Sequence, residues 1–178
     1  MKNLSVFLVS LISVFLMLSC SGGTECKIDN PTNAEIKVII DGNSPIVLAP
    51  AEYNPDTKIS LKEGEHTMKV NDGDEIKFKV SGNTGLLNPT LSTYVFAKEE
   101  YSTTGLSNEL TDTDIELDGT TYTGPFEKIS EAFIPTDDVN LGIDQSFKSE
   151  ISTHKTGVVI IKKIFRQKDF IDYFKPQE

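Results

Sequence analysis

Residues 59–80, ISLKEGEHTMKVNDGDEIKFKV, carry the clearest pattern in the chain. Ile59 and Leu61 lead into a turn at Lys62-Glu63-Gly64-Glu65. His66, Met68 and Val70 then share one face, with Thr67 and Lys69 on the other. Asp72-Gly73 turns the chain, and Ile76, Phe78 and Val80 alternate with Glu75, Lys77 and Lys79. A period of two means that successive side chains point to opposite faces of a half-buried strand. Strands of this length separated by Gly-containing turns predict an antiparallel meander. The fold class that follows is mainly β: an antiparallel β-sandwich or meander with a short C-terminal helix.

Upstream, Ile36, Val38 and Ile40 form another alternating strand ended by the turn pair Asp41-Gly42. Ile46-Val47-Leu48 reads as a short edge strand, since Pro45 lacks an N–H donor. Residues 49–56, with Pro50 and Pro55, read as loop. Downstream, Gly82 to Gly85 reads as loop, Leu86 to Thr90 begins a new segment, and Ser92 to Ala97 is a strand of aromatic and β-branched residues. The polar stretch 102–124 holds a short strand at Ile115-Glu116-Leu117 and a hairpin turn at Asp118-Gly119. Phe126 to Phe133, bracketed by Pro125 and Pro135, fits either one helical turn or a strand. Thr136 to Ser152 is loop-like.

Near the C-terminus, Val158-Val159-Ile160-Ile161 is an unbroken β-branched run, followed by Ile164-Phe165. A strand wetted on one face would alternate, so this run predicts a central strand covered on both faces. The meander of residues 34–80 would supply one cover. A terminal amphipathic helix, Gln167 to Phe174, would supply the other through Phe170, Ile171 and Phe174. No repeat of fixed period and no low-complexity tract is evident.

Two parts of the chain carry a family resemblance. The strand ending Ile40-Asp41-Gly42 and the later segment Leu61-Lys62-Glu63-Gly64-Glu65-His66 make residues 34–80 resemble the PEGA-type β module of bacterial envelope proteins. At the N-terminus, Lys2 precedes an apolar run from Leu4 to Leu18, broken only by serines and closed by Ser19-Cys20. A charged start, a short apolar centre and a small-residue exit make a secretory signal peptide. At ~1.5 Å per residue the run would span about 22 Å, short of the ~30 Å bilayer core. Met17-Leu18-Ser19-Cys20 resembles the lipobox of bacterial lipoproteins. The alternative is a plain signal peptide or membrane anchor with a chance cysteine.

The lipobox resemblance implies cleavage after residue 19, lipidation of Cys20 as the new N-terminus, and a membrane anchor of three acyl chains. Ser21, in place of the Asp that retains such proteins at the inner membrane, implies the outer membrane. The organisation is then a leader at 1–19, a Gly/Ser tether at 20–25 and a single all-β domain at 26–178.

Seventeen Lys and Arg against 27 Asp and Glu give the chain a formal charge of −10, which repels nucleic acid and anionic lipid surfaces. The single Arg166 in a lysine-rich chain reads as the base composition of a genome. Once Cys20 carries lipid, Cys26 is alone and reads as a small buried residue of the first strand, with intermolecular pairing or a reactive thiol as the alternative.

Nucleophilic catalysis would have to use His66 or His154, the only histidines. His66 shares its face with Met68 and Val70, and His154 lies in a polar turn, so neither reads as catalytic. No Gly-x-Ser-x-Gly, His-Glu-x-x-His or Cys-x-x-Cys motif occurs. Asp72-Gly73-Asp74-Glu75 and Asp112-Thr113-Asp114 with Glu116 space carboxylates as a calcium loop does, but neither holds an EF-hand ligand set. No cofactor or metal is expected.

These features predict a membrane-anchored, non-enzymatic envelope lipoprotein that binds a protein or an envelope component. Two other readings stay open. One is an immunity-type lipoprotein that blocks a basic periplasmic toxin through loops 102–124 and 136–152. The other is a hydrolase with an unrecognised carboxylate or serine site.

Overall fold

The computed structural model describes residues 22–53, 56–102, 110–147 and 158–175. The leader, Cys20 and His154 lie outside the described residues. Among the described residues, thirteen strands, one α-helix and one 3-10 turn make a mainly β fold, and no described helix is long and apolar enough to cross a membrane.

Three sheets stack in layers. The central one holds β1 (Thr24–Ile28), β4 (Lys58–Leu61), β7 (Thr84–Leu87) and β12 (Phe133–Pro135), in the order β12-β7-β1-β4. On one face lies the sheet of β2 (Ile36–Ile40), β3 (Ile46–Leu48), β5 (Gly64–Val70) and β6 (Glu75–Val80), in the order β3-β2-β5-β6. Cys26, Ile28, Leu87 and Phe133 pack there against Val38, Leu48, Met68 and Val80. On the other face lies the sheet of β8 (Tyr94–Ser102), β11 (Phe126–Ile129) and β13 (Val158–Arg166), in the order β11-β8-β13. Leu86 and Ile134 pack against its Tyr94, Phe96 and Ile164. Its far side is covered by the hairpin β9 (Thr113–Leu117)–β10 (Thr120–Gly124) and by α1 (Gln167–Phe174), which seat Ile115, Leu117 and Phe170 on Val95, Ala97 and Phe165.

The alternating strands stand where their pattern puts them. Ile36, Val38 and Ile40 are buried, Met68 and Phe78 likewise, and β3 is an edge strand. Asp41-Gly42 and Asp118-Gly119 both turn with positive φ, as tight hairpin turns require (Asp41 50°, Gly42 69°; Asp118 49°, Gly119 77°). Helix α1 spans the residues its amphipathic pattern marked.

Several expectations are corrected. Strand β1 begins at Thr24, inside the predicted tether, because Thr24 to Lys27 pair with β4. Residues 59–61 do not continue the meander: β4 joins β1, and the chain crosses between sheets before β5. Residues 84–87, read as part loop, are strand β7, paired in parallel with β1. Gly85 fits there because the Phe133 ring lies where its Cβ would be. Of the two readings of Phe126 to Phe133, the strand holds: it gives β11 and the start of β12. The run Val158 to Ile161 is not covered on both faces: Ile160 is 37% exposed and its neighbours half-buried. Sheet partner β11 reaches only Tyr94 to Ala97 of β8, so among the described residues this half of β13 pairs only with the outer half of β8. The meander's sheet lies on the far side of the central sheet and cannot cover it.

Pairing also reveals two copies of one plan. β1, β2, β3, β4 and β5 correspond to β7, β8, β11, β12 and β13. In each set the first strand pairs antiparallel with the fourth, and the second with the third and fifth. The hairpin β9–β10 is an insertion into the second set. Residues 24–80 and 84–174 are therefore two β-sandwich modules, joined edge to edge through the parallel pair β1–β7.

Candidate functional site

The two modules share a short sequence that shapes their junction. After β1 comes Asn30-Pro31-Thr32, and after β7 comes Asn88-Pro89-Thr90. In both, the next strand begins six residues after the Asn. Asn30 and Asn88 are fully buried. Asn30 Nδ2 donates to the carbonyl of Ala34 at 2.8 Å, and Asn88 Nδ2 to that of Ser92 at 2.8 Å. Both also reach the neighbouring segment of their own module, Leu48 and Ala49 in one case and Glu131 in the other. The Thr32 and Thr90 hydroxyls each donate to the Asn oxygen two residues before. A buried amide must satisfy its donors and acceptor, and here it does so by fixing an irregular turn. Proline supplies a backbone with no N–H to leave unpaired.

Beside these loops lies an ionic hub built around the only arginine in the chain. Asp29, 0% exposed, follows β1, and Arg166 ends β13. Arg166 donates through Nε to Asp29 Oδ2 at 2.8 Å and through Nη2 to Oδ1 at 2.7 Å. The Tyr94 hydroxyl donates to the same carboxylate at 2.6 Å. Arg166 Nη1 reaches Asp144 at 2.9 Å and Asp169 at 3.4 Å. Asp144 also pairs with Lys27 on β1. Module one supplies Asp29 and Lys27, and module two supplies Arg166, Tyr94 and Asp144.

Burial works against the Arg166 charge, but the bonds to Asp29 and the charges of Asp29 and Asp144 outweigh it and hold the guanidinium protonated. Burial, with the Asp29 charge behind it, pushes the Tyr94 phenol well above its usual range. Burial opposes the Asp144 charge too, yet Lys27 and Arg166 hold its carboxyl below the usual value. Lys163, three residues before Arg166 on β13, is buried and gives its ammonium protons to the carbonyls of Gly142 and Ile164. Burial lowers its pKa to about 8.

A cleft of about 770 Å³ opens above the hub. Pro31, Asn33 and Glu52 line it from module one, and Thr93, Lys168 and Asp169 from module two. Asp118 and Gln167 lie in the same wall, bonded to each other at 2.8 Å. Two of the three carboxylates are thus occupied: Asp169 by Arg166, and Asp118 by the Gln167 amide. The turn Ala51–Tyr53 that carries Glu52 also carries Tyr53, 74% exposed. Such a lining offers amide, hydroxyl and carboxylate groups for hydrogen bonding.

The residues flagged in the sequence do not gather here. Asp72 and Asp74 lie exposed on the β5–β6 turn and Glu75 at the start of β6, and Asp112, Asp114 and Glu116 lie exposed on or beside β9, with Asp114 accepting from Thr123. No three His, Cys, Asp or Glu residues form a metal-holding group among the described residues. Cys26 is fully buried in the core of module one. Burial, then the Glu25 charge, raises its thiol to about 11, so it remains protonated and unreactive near neutrality. His66 lies at the edge of the same core, stacked on Phe78. Asp29, Asn30 and Asn88 went unmarked in the sequence, although the repeated Asn-Pro-Thr after an apolar strand is a signal. Comparison of the chain with models of protein families, with curated proteins and with solved structures found no match.

Proposed function

We propose that this protein is a lipid-anchored envelope lipoprotein, held through Cys20 at an outer membrane, and that it binds an envelope component or protein partner without chemistry of its own. The binding surface in this reading is the cleft at the module junction. One observation carries it: the direction of the parallel pair β1–β7. Strand β1 starts at Thr24, four residues after Cys20, and runs to Ile28. Both Asn-Pro-Thr loops therefore follow the end of the sheet remote from the anchor, and the cleft they border faces away from the membrane. The arginine beneath it is consumed by structural bonds, which supports recognition over catalysis.

The anchor is tested by Cys20→Ser, which should abolish palmitate labelling and release the protein into the soluble fraction. Labelling that persists in the variant would remove the anchor. The cleft is tested by photocrosslinking in intact cells, with the probe at Asn33 or Lys168 and a control at Lys77 on the outer sheet face. Adducts specific to the first two positions support the cleft. Equal yields at all three, or none, would discard it.

A further inference from the structure

We propose that His66 is a pH-dependent clamp, an imidazolium that ties together the two turns at the tether end of module one. Its two ring nitrogens each face an oxygen. Nδ1 is 2.7 Å from Asp41 Oδ2, and Nε2 is 2.7 Å from the backbone carbonyl of Lys62. A carbonyl only accepts, and so does an ionised carboxylate. A neutral imidazole carries one N–H and can serve only one of them; the ring serves both when it holds two protons.

Asp41 is held in its ionised role from its other side. Its Oδ1 accepts the Thr67 N–H at 2.9 Å, and its own N–H donates to the Thr67 carbonyl at 2.9 Å. The charged group facing the ring is Asp41 from the β2–β3 turn, while Glu65, the preceding strand residue, points with its partner Lys79 to the opposite face and adds only its charge. From β6 the ring meets the uncharged Phe78, while Lys77 and Lys79 point to the opposite face of the sheet. The side chain is 11% exposed, so protons can exchange without unfolding. Burial would lower the pKa of this histidine, but Asp41, the Lys62 carbonyl and Glu65 raise it above the ordinary 6.5. Asp41 is correspondingly depressed below 3.8 by Thr67 and His66, against the effect of burial.

What the clamp holds is the crossing between sheets. Leu61 ends β4 in the central sheet and pairs with Thr24, while Gly64 begins β5 in the outer sheet. Lys62 lies on that crossing. When His66 loses a proton, one of its two oxygens faces a bare ring nitrogen, and the crossing or the Asp41 turn loses its tie. The clamp is intact from the depressed pKa of Asp41 up to the raised pKa of His66, and opens at higher pH. Because Thr24 is the first strand residue after the tether, opening loosens the end of the module where the chain enters it.

The test uses the full chain in detergent micelles, with His154→Gln to leave one histidine. Nitrogen-15 NMR of the ring should show both nitrogens protonated at pH 6, titrating together with a pKa above 6.5. Asp41→Asn should bring that pKa down. In urea melts the midpoint should fall between pH 6 and pH 9, and the fall should shrink in His66→Gln. A single-proton tautomer at pH 6, or a pKa at or below 6.5, would overturn the proposal. So would an equal pH dependence in His66→Gln. The NMR reading stands on the protein with native His66 and Asp41, so it decides the matter even where a variant fails to fold.

Discussion

Removing the Arg166 guanidinium should cost more than removing the charge of Asp29, although the two form one pair. In Arg166→Met the Asp29 carboxylate, 0% exposed, keeps the Tyr94 hydroxyl but loses both guanidinium bonds. Breaking a buried ion pair by removing one partner costs ~3–5 kcal/mol. In Asp29→Asn the guanidinium keeps Asp144 and Asp169, about half exposed, and reaches solvent through the cleft. That change belongs at the low end, about 3 kcal/mol, and Arg166→Met at the high end, about 5 kcal/mol. Tyr94→Phe removes one bond to a charged acceptor and should cost ~1.5–3 kcal/mol.

The double variant is the sharper measurement. With Arg166 already Met, turning Asp29 into neutral Asn removes a buried charge that has lost its guanidinium counter-ion, so the double variant should be more stable than Arg166→Met alone. The coupling should exceed about 2 kcal/mol, well beyond the ~0.5 kcal/mol scatter of independent sites. Urea melts at pH 7, followed by far-UV circular dichroism and by fluorescence of the five tyrosines, measure it directly. Additive single effects, or a loss below about 1 kcal/mol for Arg166→Met, would mean that the hub does not weld the modules.

Three other outcomes follow from the packing. Ile160→Ala should cost under about 1 kcal/mol, whereas Phe165→Ala, in the buried half of the same strand, should cost ~3–5 kcal/mol in urea melts. Native protein should leave Cys26 unmodified by iodoacetamide at pH 8 for hours and react at once in denaturant, by mass spectrometry; quick native labelling would contradict its burial and raised pKa. Gly85→Ala should lower the melting temperature by several degrees, because the new Cβ meets the Phe133 ring at 2.2 Å.

Local pattern made some elements legible. Strands β2, β5 and β6 have one wet face, so their alternation is written in consecutive residues. Turns Asp41-Gly42 and Asp118-Gly119 are legible because few residues accept positive φ. The parallel pairing of β1 with β7 has no such trace: it joins Ile28 to Leu87 with a whole module between them. The β-branched run at 158–161 misled because propensity for strand is not propensity for burial. It lies in a long strand whose buried part is Lys163 to Arg166. At the cleft, a single arginine among sixteen other basic residues looks in sequence like base composition, not a structural choice. Bidentate recognition of a buried carboxylate needs the planar fork that lysine lacks.

The duplication explains contrasts that neither module explains alone. Strand β1 alternates, with Cys26 and Ile28 buried and Glu25 and Lys27 turned away, because only the sheet of module one covers it with apolar side chains. Its counterpart β7 ends in two consecutive buried leucines, because the outer sheets meet the central sheet there from both sides. The modules part after the fifth strand. Module one continues into β6, which extends its sheet and leaves the outer face open, so Lys37, Lys69, Lys77 and Lys79 are exposed there. Module two turns at Arg166 into α1, which folds back over its sheet, so the matching face carries Val95, Ala97 and Phe165. The residue that makes this turn is also the residue that binds Asp29 of the other module. One arginine therefore ends this strand, precedes the helix and joins the two copies, and its two-pronged bond to Asp29 is what lysine cannot make.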